Sequence, residues 1–78
     1  MKTFRSLNNI RDTKQLGITL ARYRRENKLT QKELAEEAGI LQKTISTAEG
    51  GEGGTHLQTI FNILAALDLE ITIQKRGK

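Results

Sequence analysis

Cysteine is absent from the 78 residues, which excludes disulfides and thiolate metal sites. There is one histidine, His56, so no histidine-rich metal centre can be built; in the first turn of a helix it reads as a surface residue. The longest apolar run covers residues 63 to 67, far short of the roughly 20 residues that a membrane-spanning helix needs. Residues 1 to 10 hold no continuous apolar core, so no signal peptide is expected and a cytoplasmic protein is the default. The stretch 50 to 54, GGEGG, lacks the lysine and hydroxyl of a phosphate-binding loop and reads as a flexible turn. There is no serine–histidine–acid set. Glutamates are numerous (Glu33, Glu36, Glu37, Glu49, Glu52), but so small a helical unit offers no cleft to set them up for acid–base work. Glu36 and Glu37 read as a solvated face or as part of a protein interface. No catalytic residue, metal site or cofactor is therefore expected, and the chain is not expected to be an enzyme. Its length allows one small domain, marginal alone and commonly helped by oligomerisation.

What the chain does have is positive charge, unevenly spread. The net charge is +4 and the isoelectric point about 9.8. Residues 1 to 29 carry eight basic side chains against Asp12 and Glu26, which is +6; residues 30 to 54 sum to −3 and the remainder to +1. A basic amino-terminal third suits a polyanion partner, although a solvated surface would look the same.

Residues 30 to 49, TQKELAEEAGILQKTISTAE, are the most informative stretch. Thr30 can cap a helix, and Glu33, three residues on, completes a capping box. Leu34, Ala35 and Ala38 make a narrow apolar stripe, with Ala35 small where another helix would cross closely. Gly39 can end the helix in a left-handed conformation, and apolar Ile40 pins the turn. A second helix follows with Ile45 and Ala48 inward. Gln42, Lys43, Thr44, Ser46 and Thr47 are left outward. These amide, ammonium and hydroxyl groups are the chemistry that reads base edges and phosphates. Two short helices broken by a glycine turn, with that outward face, predict a helix-turn-helix unit that places one helix in a DNA groove. An ordinary helical hairpin with a polar surface is the plainer alternative.

Around this unit the pattern predicts more helix. Residues 1 to 11 have no clear period; Phe4, Leu7 and Ile10 pack on the domain or the segment forms a basic arm. A helix starts at Asp12 or Thr13 and ends near Asn27, with Leu16, Leu20 and Tyr23 along one side and Ile18 and Ala21 at its margins. Thr55 with Gln58 suggests a second capping box. A helix over residues 56 to about 67 follows, with Leu57, Ile60, Phe61, Leu64 and Leu67 as its core face. Then the period changes. Leu69, Ile71 and Ile73 alternate with Glu70, Thr72 and Gln74, which predicts a strand with one apolar face. A lone edge invites pairing with another chain. Residues 2 to 7 are the single candidate partner within the chain; pairing with a second copy in a homodimer is the favoured expectation. The organisation expected is a basic segment at 1–11, a DNA-binding domain at 12–68, a dimerisation strand at 69–75 and a basic tail at 76–78.

Residues 16 to 69 resemble the Cro/C1-type (XRE) helix-turn-helix family, and the pattern is carried by TQKELAEEAGILQKTISTAE. The resemblance implies an all-α, lambda-repressor-like bundle of four to five helices, the fifth shortened or replaced here by the C-terminal β-strand. Short amino-terminal segment, core and terminal strand LEITIQ together are most similar to HipB-type antitoxins, small dimeric repressors encoded with HipA-type kinase toxins. That resemblance implies terminal strands pairing across a dimer, a near-palindromic operator in double-stranded DNA, repression of its own operon, and a HipA-like kinase toxin as partner.

Site residues carry over position by position. Gln31 sits where a glutamine touches a phosphate. Gln42 sits where the first recognition-helix residue contacts a base through its amide. Lys43 and Thr44 hold base- or phosphate-contacting positions, Thr47 faces the groove one turn on, and Ser46 meets a phosphate. Arg24 and Glu49 match a paired arginine and glutamate that tie the first helix to the end of the recognition helix. Ala48 departs from the pattern, where a larger aliphatic residue is usual; Phe61 is a candidate to fill the space. Leu41 is apolar where HipB-like proteins can carry a polar or basic contact, so base preference need not match theirs. The rival from another class is a module that keeps the fold but binds protein, or a regulator unconnected with a toxin. Gln42, Lys43 and the basic first helix argue against a protein-only module.

Overall fold

The computed structural model describes residues 9–76. Four helices follow in order: α1 (Thr13–Glu26), α2 (Gln31–Ala38), α3 (Gln42–Glu49) and α4 (Leu57–Ala66). Asp12 caps α1, its carboxylate accepting from the Gln15 N–H at 2.7 Å, while Gln15 accepts in turn from the Arg11 N–H. Arg24 and Arg25 fill the last turn, where cations suit the helix dipole. The expected capping box on α2 is complete: Thr30 Oγ1 accepts from the Glu33 N–H at 3.0 Å, and Glu33 Oε1 accepts from the Thr30 N–H at 2.8 Å. Gly39 ends α2 at φ 73°, in the left-handed region that favours glycine, and the Ile40 N–H returns to the Ala35 carbonyl.

α3 packs on α1 and α2, and α4 on α2. The buried core is Leu20, Leu34, Ala35, Ile45, Ala48, Ile60, Ile63, Leu64 and Leu67, with Leu16, Tyr23, Leu29, Ile40, Ala66 and Leu69 half-buried against it. Each helix of the bundle thus contributes its expected apolar stripe, with α4 rotated from expectation. Ile63 is buried, while Leu57 and Phe61 are exposed, Phe61 at 43%. At about 100° per residue, positions 60, 63, 64 and 67 share one arc and position 61 lies about a quarter turn off it. Phe61 therefore does not fill space beside Ala48. The Thr55–Gln58 capping box is also absent. His56 is the N-cap, so the third helical residue is Thr59, and Gln58 instead donates to Asn62 Oδ1 at 3.1 Å.

The GGEGG stretch is a turn, but a tethered one. Thr13 Oγ1 donates to the Gly51 carbonyl at 2.8 Å. Gly51 sits at φ 81°, and a Cβ there would lie 2.7 Å from Lys14 Cα, so the chain can pass only as glycine.

After α4 the Asp68 and Leu69 N–H groups return to the Ala65 and Leu64 carbonyls, the latter at 2.8 Å. No strand and no fifth helix occur among the described residues. The expected strand at 69–75 is not a regular element in the single chain, because a strand exists by its ladder and no described segment supplies one. The candidate partner within the chain, residues 2 to 7, lies outside the described residues, as does most of the segment 1–11. Leu69 is drawn against the core; Ile71 is exposed, and Ile73 is 92% exposed. No helix among the described residues is long and apolar enough to cross a membrane.

Candidate nucleic-acid interface

The α2–turn–α3 unit presents α3 with its inner face fixed and its outer face free. Ile45 and Ala48 are buried. Gln42, Lys43 and Ser46 are exposed, and Thr44 and Thr47 are half-buried at the flank. Lys43, Thr44 and Thr47 form one wall of an open cleft of about 340 Å³, whose other wall is Gly53, Gly54, Thr55, His56 and Thr59. One ammonium and several hydroxyls thus converge beside the outer face of α3, and these groups suit phosphate oxygens.

A shielded polar cluster holds α3 in place. Arg24 of α1 donates Nε to Glu49 Oε2 at 2.6 Å and Nη2 to Glu49 Oε1 at 3.1 Å, a bidentate fork. Its Nη1 donates to the Leu29 carbonyl at 2.8 Å. Gln31 of α2 donates Nε2 to the same Glu49 Oε1 at 3.0 Å. The Arg24 and Glu49 side chains are 11% and 8% exposed. Helices α1, α2 and α3 therefore meet at one carboxylate. Gln31, expected at a phosphate, is half-buried with one amide donor committed to Glu49.

Gly17 is a positioning residue that the sequence reading missed. A Cβ there would lie 2.6 Å from both the Ala48 and Glu49 carbonyl oxygens, so α1 and the end of α3 touch backbone to backbone. Small Ala48 belongs to this close crossing, with a cleft of about 70 Å³ beside it lined in part by Leu16 and Ile60. The signal was available: a glycine inside a helix costs about 1 kcal/mol against alanine, so it asks for a packing reason.

Electrostatics differ between the faces. On α1, Arg22 stacks its guanidinium 4.9 Å from the Tyr23 ring centroid and lies 3.8 Å from Glu26. Arg25 and Lys28 are exposed at the end of α1, and Glu36 and Glu37 are exposed on α2. No group of acidic, histidine or cysteine side chains that could hold a metal ion occurs among the described residues.

Four short helices with a capped α2, a glycine turn and an α3 anchored from behind define a helix-turn-helix domain. The family model described as "Helix-turn-helix domain" matches residues 15–72. The antitoxin HipB of Escherichia coli strain K12 is 40% identical over 68 residues, covering 87% of this chain and 77% of that protein. HipB of Escherichia coli O6:H1 is equally identical over the same length, with 72% of that protein covered. Among solved structures, the HipA-HipB-O2-O3 complex aligns with a TM-score of 0.83 at 37% identity, over 90% of this chain and 99% of the matched one. The HipB-O4 20mer complex aligns with a TM-score of 0.84, also at 37% identity. The chain belongs to the XRE-type helix-turn-helix family and is HipB-like within it.

Proposed function

We propose that the protein is a homodimeric, sequence-specific DNA-binding repressor and the antitoxin of a HipA-like kinase toxin, autoregulating the operon that encodes both. The observation that carries the DNA reading is the outer face of α3. Gln42, Lys43 and Ser46 stand free on a helix whose other side is clamped by Ile45, Ala48 and the Arg24–Glu49 fork. In the major groove the Gln42 amide would read a base edge, with Lys43, Thr44 and Thr47 on bases or phosphates and Ser46 on a phosphate. An amide group has two N–H donors; one from Gln31 serves Glu49, which leaves the other for a phosphate. The toxin reading rests on the relatives, which are HipB antitoxins, one of them in a HipA-HipB-O2-O3 complex. The protein would act in the cytoplasm, on its operator, without a cofactor and not as an enzyme.

Dimerisation is assigned to the carboxyl-terminal residues. Ile71 and Ile73 alternate with polar residues and are exposed in the single chain. Antiparallel pairing with a second copy would satisfy the backbone and cover both, with Leu69 anchoring the segment to its own core. The operator would then be a near-palindrome with half-sites roughly 34–36 Å apart, or a multiple of that.

The test is a salt titration of binding to mixed duplex DNA, together with copurification of the product of a neighbouring HipA-like reading frame. Phosphate contacts give a steep loss of affinity with salt. Binding that ignores salt would favour a protein-interaction module instead, and a neighbourhood without a HipA-like kinase would remove the antitoxin assignment.

A further inference from the structure

One large apolar side chain stands among the polar groups at the start of α3. Leu41 is 73% exposed and occupies the N-cap, directly before Gln42 and Lys43. It does not pack: its neighbour Ile40 lies against the core, and Leu41 does not. It does not cap the helix either, since no side-chain hydrogen bond closes the first turn. Serine, threonine, aspartate or asparagine would do so at this position. The Leu41 carbonyl accepts from the Thr44 and Ile45 N–H groups at 3.0 and 3.3 Å. Its backbone is therefore held in place while its side chain lies in solvent.

We propose that Leu41 is a specificity-determining residue that contacts the C5-methyl of a thymine in the major groove, beside the base pair read by Gln42. This rests on the DNA-binding reading above and deepens it. Base edges in the major groove offer donors and acceptors, and a single apolar group, the thymine methyl. A leucine side chain can match only that group. Set against the cytosine amino group or a purine edge, it would strip water from a polar atom and return no hydrogen bond. Thymine is thus favoured twice, by the methyl contact and by the penalty on its competitors. Polar Gln42 and Lys43 follow directly and Ile40 before it is turned to the core, so the apolar contact is local to one base.

The test uses the full chain and two duplex libraries with the same randomised centre, one made with thymine and one with uracil. Uracil keeps the pairing and the O4 acceptor and lacks only the methyl group. The wild type should enrich thymine at one position per half-site from the first library, by more than about fourfold, since roughly one methyl group leaving water supplies about fourfold and the penalty on the other bases adds to it. In the uracil library that preference should shrink by about that fourfold share, leaving only the penalty on the other bases, while preferences abolished by Gln42→Ala persist. Leu41→Ser should lose the thymine preference and still select the rest of the site; serine is a good N-cap, so folding is not at risk. Leu41→Met should retain it. Identical preferences in the two libraries, or in Leu41→Ser and the wild type, would overturn the proposal. A chain that enriches nothing from the thymine library refutes DNA recognition itself, which is a separate failure and takes this inference with it.

Discussion

Removing the Glu49 carboxylate strips three hydrogen bonds from one point, two from Arg24 and one from Gln31. Glu49→Ala leaves the Arg24 guanidinium about nine-tenths shielded, with the Leu29 carbonyl as its one remaining hydrogen-bond partner among the described residues. Breaking a buried ion pair from one side costs about 3–5 kcal/mol, against at most about 1 kcal/mol for an exposed pair. Exposures of 11% and 8% put this pair near the buried limit. A small domain is stable by only about 5–15 kcal/mol. At about 4–8 °C per kcal/mol, even the lower figure predicts a fall in Tm of at least about 12 °C. Glu49→Gln keeps an acceptor for one donor and should lose roughly half as much, since charge-assisted bonds are worth about 1.5–3 kcal/mol each. The assay is thermal and urea unfolding followed by circular dichroism at fixed protein concentration, because the proposed dimerisation would make Tm concentration-dependent. An Arg24→Ala, Glu49→Ala double-mutant cycle isolates the pair. A Glu49→Ala chain within about 1 kcal/mol of the wild type would refute the reasoning, since it would show that water replaces Arg24 without cost.

Three further outcomes are expected. Gly17→Ala should lower stability by about 1–3 kcal/mol in urea titrations, although alanine is the better helix former, because its methyl would meet two backbone oxygens at 2.6 Å; a more stable variant would mean that α1 can slide away. Gln42→Ala should cost about 1–3 kcal/mol at one base pair and relax preference there, read by competition among operator variants; a preference unchanged at every position would mean that another residue reads the sequence. Ile71→Pro, and truncation after Asp68, should weaken dimerisation in sedimentation at micromolar concentration and lower operator affinity with it. Full dimers with full affinity from both would place the interface on the helices.

The parts legible in the sequence are those whose causes are local. The capping box at Thr30 and Glu33, the turn at Gly39 and the inward pair Ile45 and Ala48 each lie within a few residues of what they act on. The Arg24–Glu49 fork spans 25 positions, and no spacing rule reaches that far; only the resemblance to a known family singled it out. At Gly17 the sequence shows only that a helical glycine needs a packing reason; the reason itself is a backbone in another helix. On α4 the expected stripe was drawn too broadly: it took in Phe61, about a quarter turn off the buried arc, and left out Ile63. The alternation at 69–74 is real, but a period says which face is apolar and not whether a ladder partner is present.

On the DNA-binding reading proposed above, recognition depends on the groups that give stability. The Gln42 amide can discriminate a base only if α3 sits at one angle in the groove, since bidentate pairing tolerates little displacement. That angle is set by backbone contact at Gly17, apolar contact at Ile45 and the fork at Glu49, which act on the middle and the carboxyl-terminal end of α3. The amino-terminal end has no side-chain cap, and its first residues are exposed. Weakening the clamp should therefore blur base preference sooner than it weakens non-specific phosphate binding, which depends on charge more than on angle. The uncapped end follows the same logic: a capping residue at position 41 would firm the first turn, but it would replace the exposed apolar side chain proposed above to meet a thymine methyl.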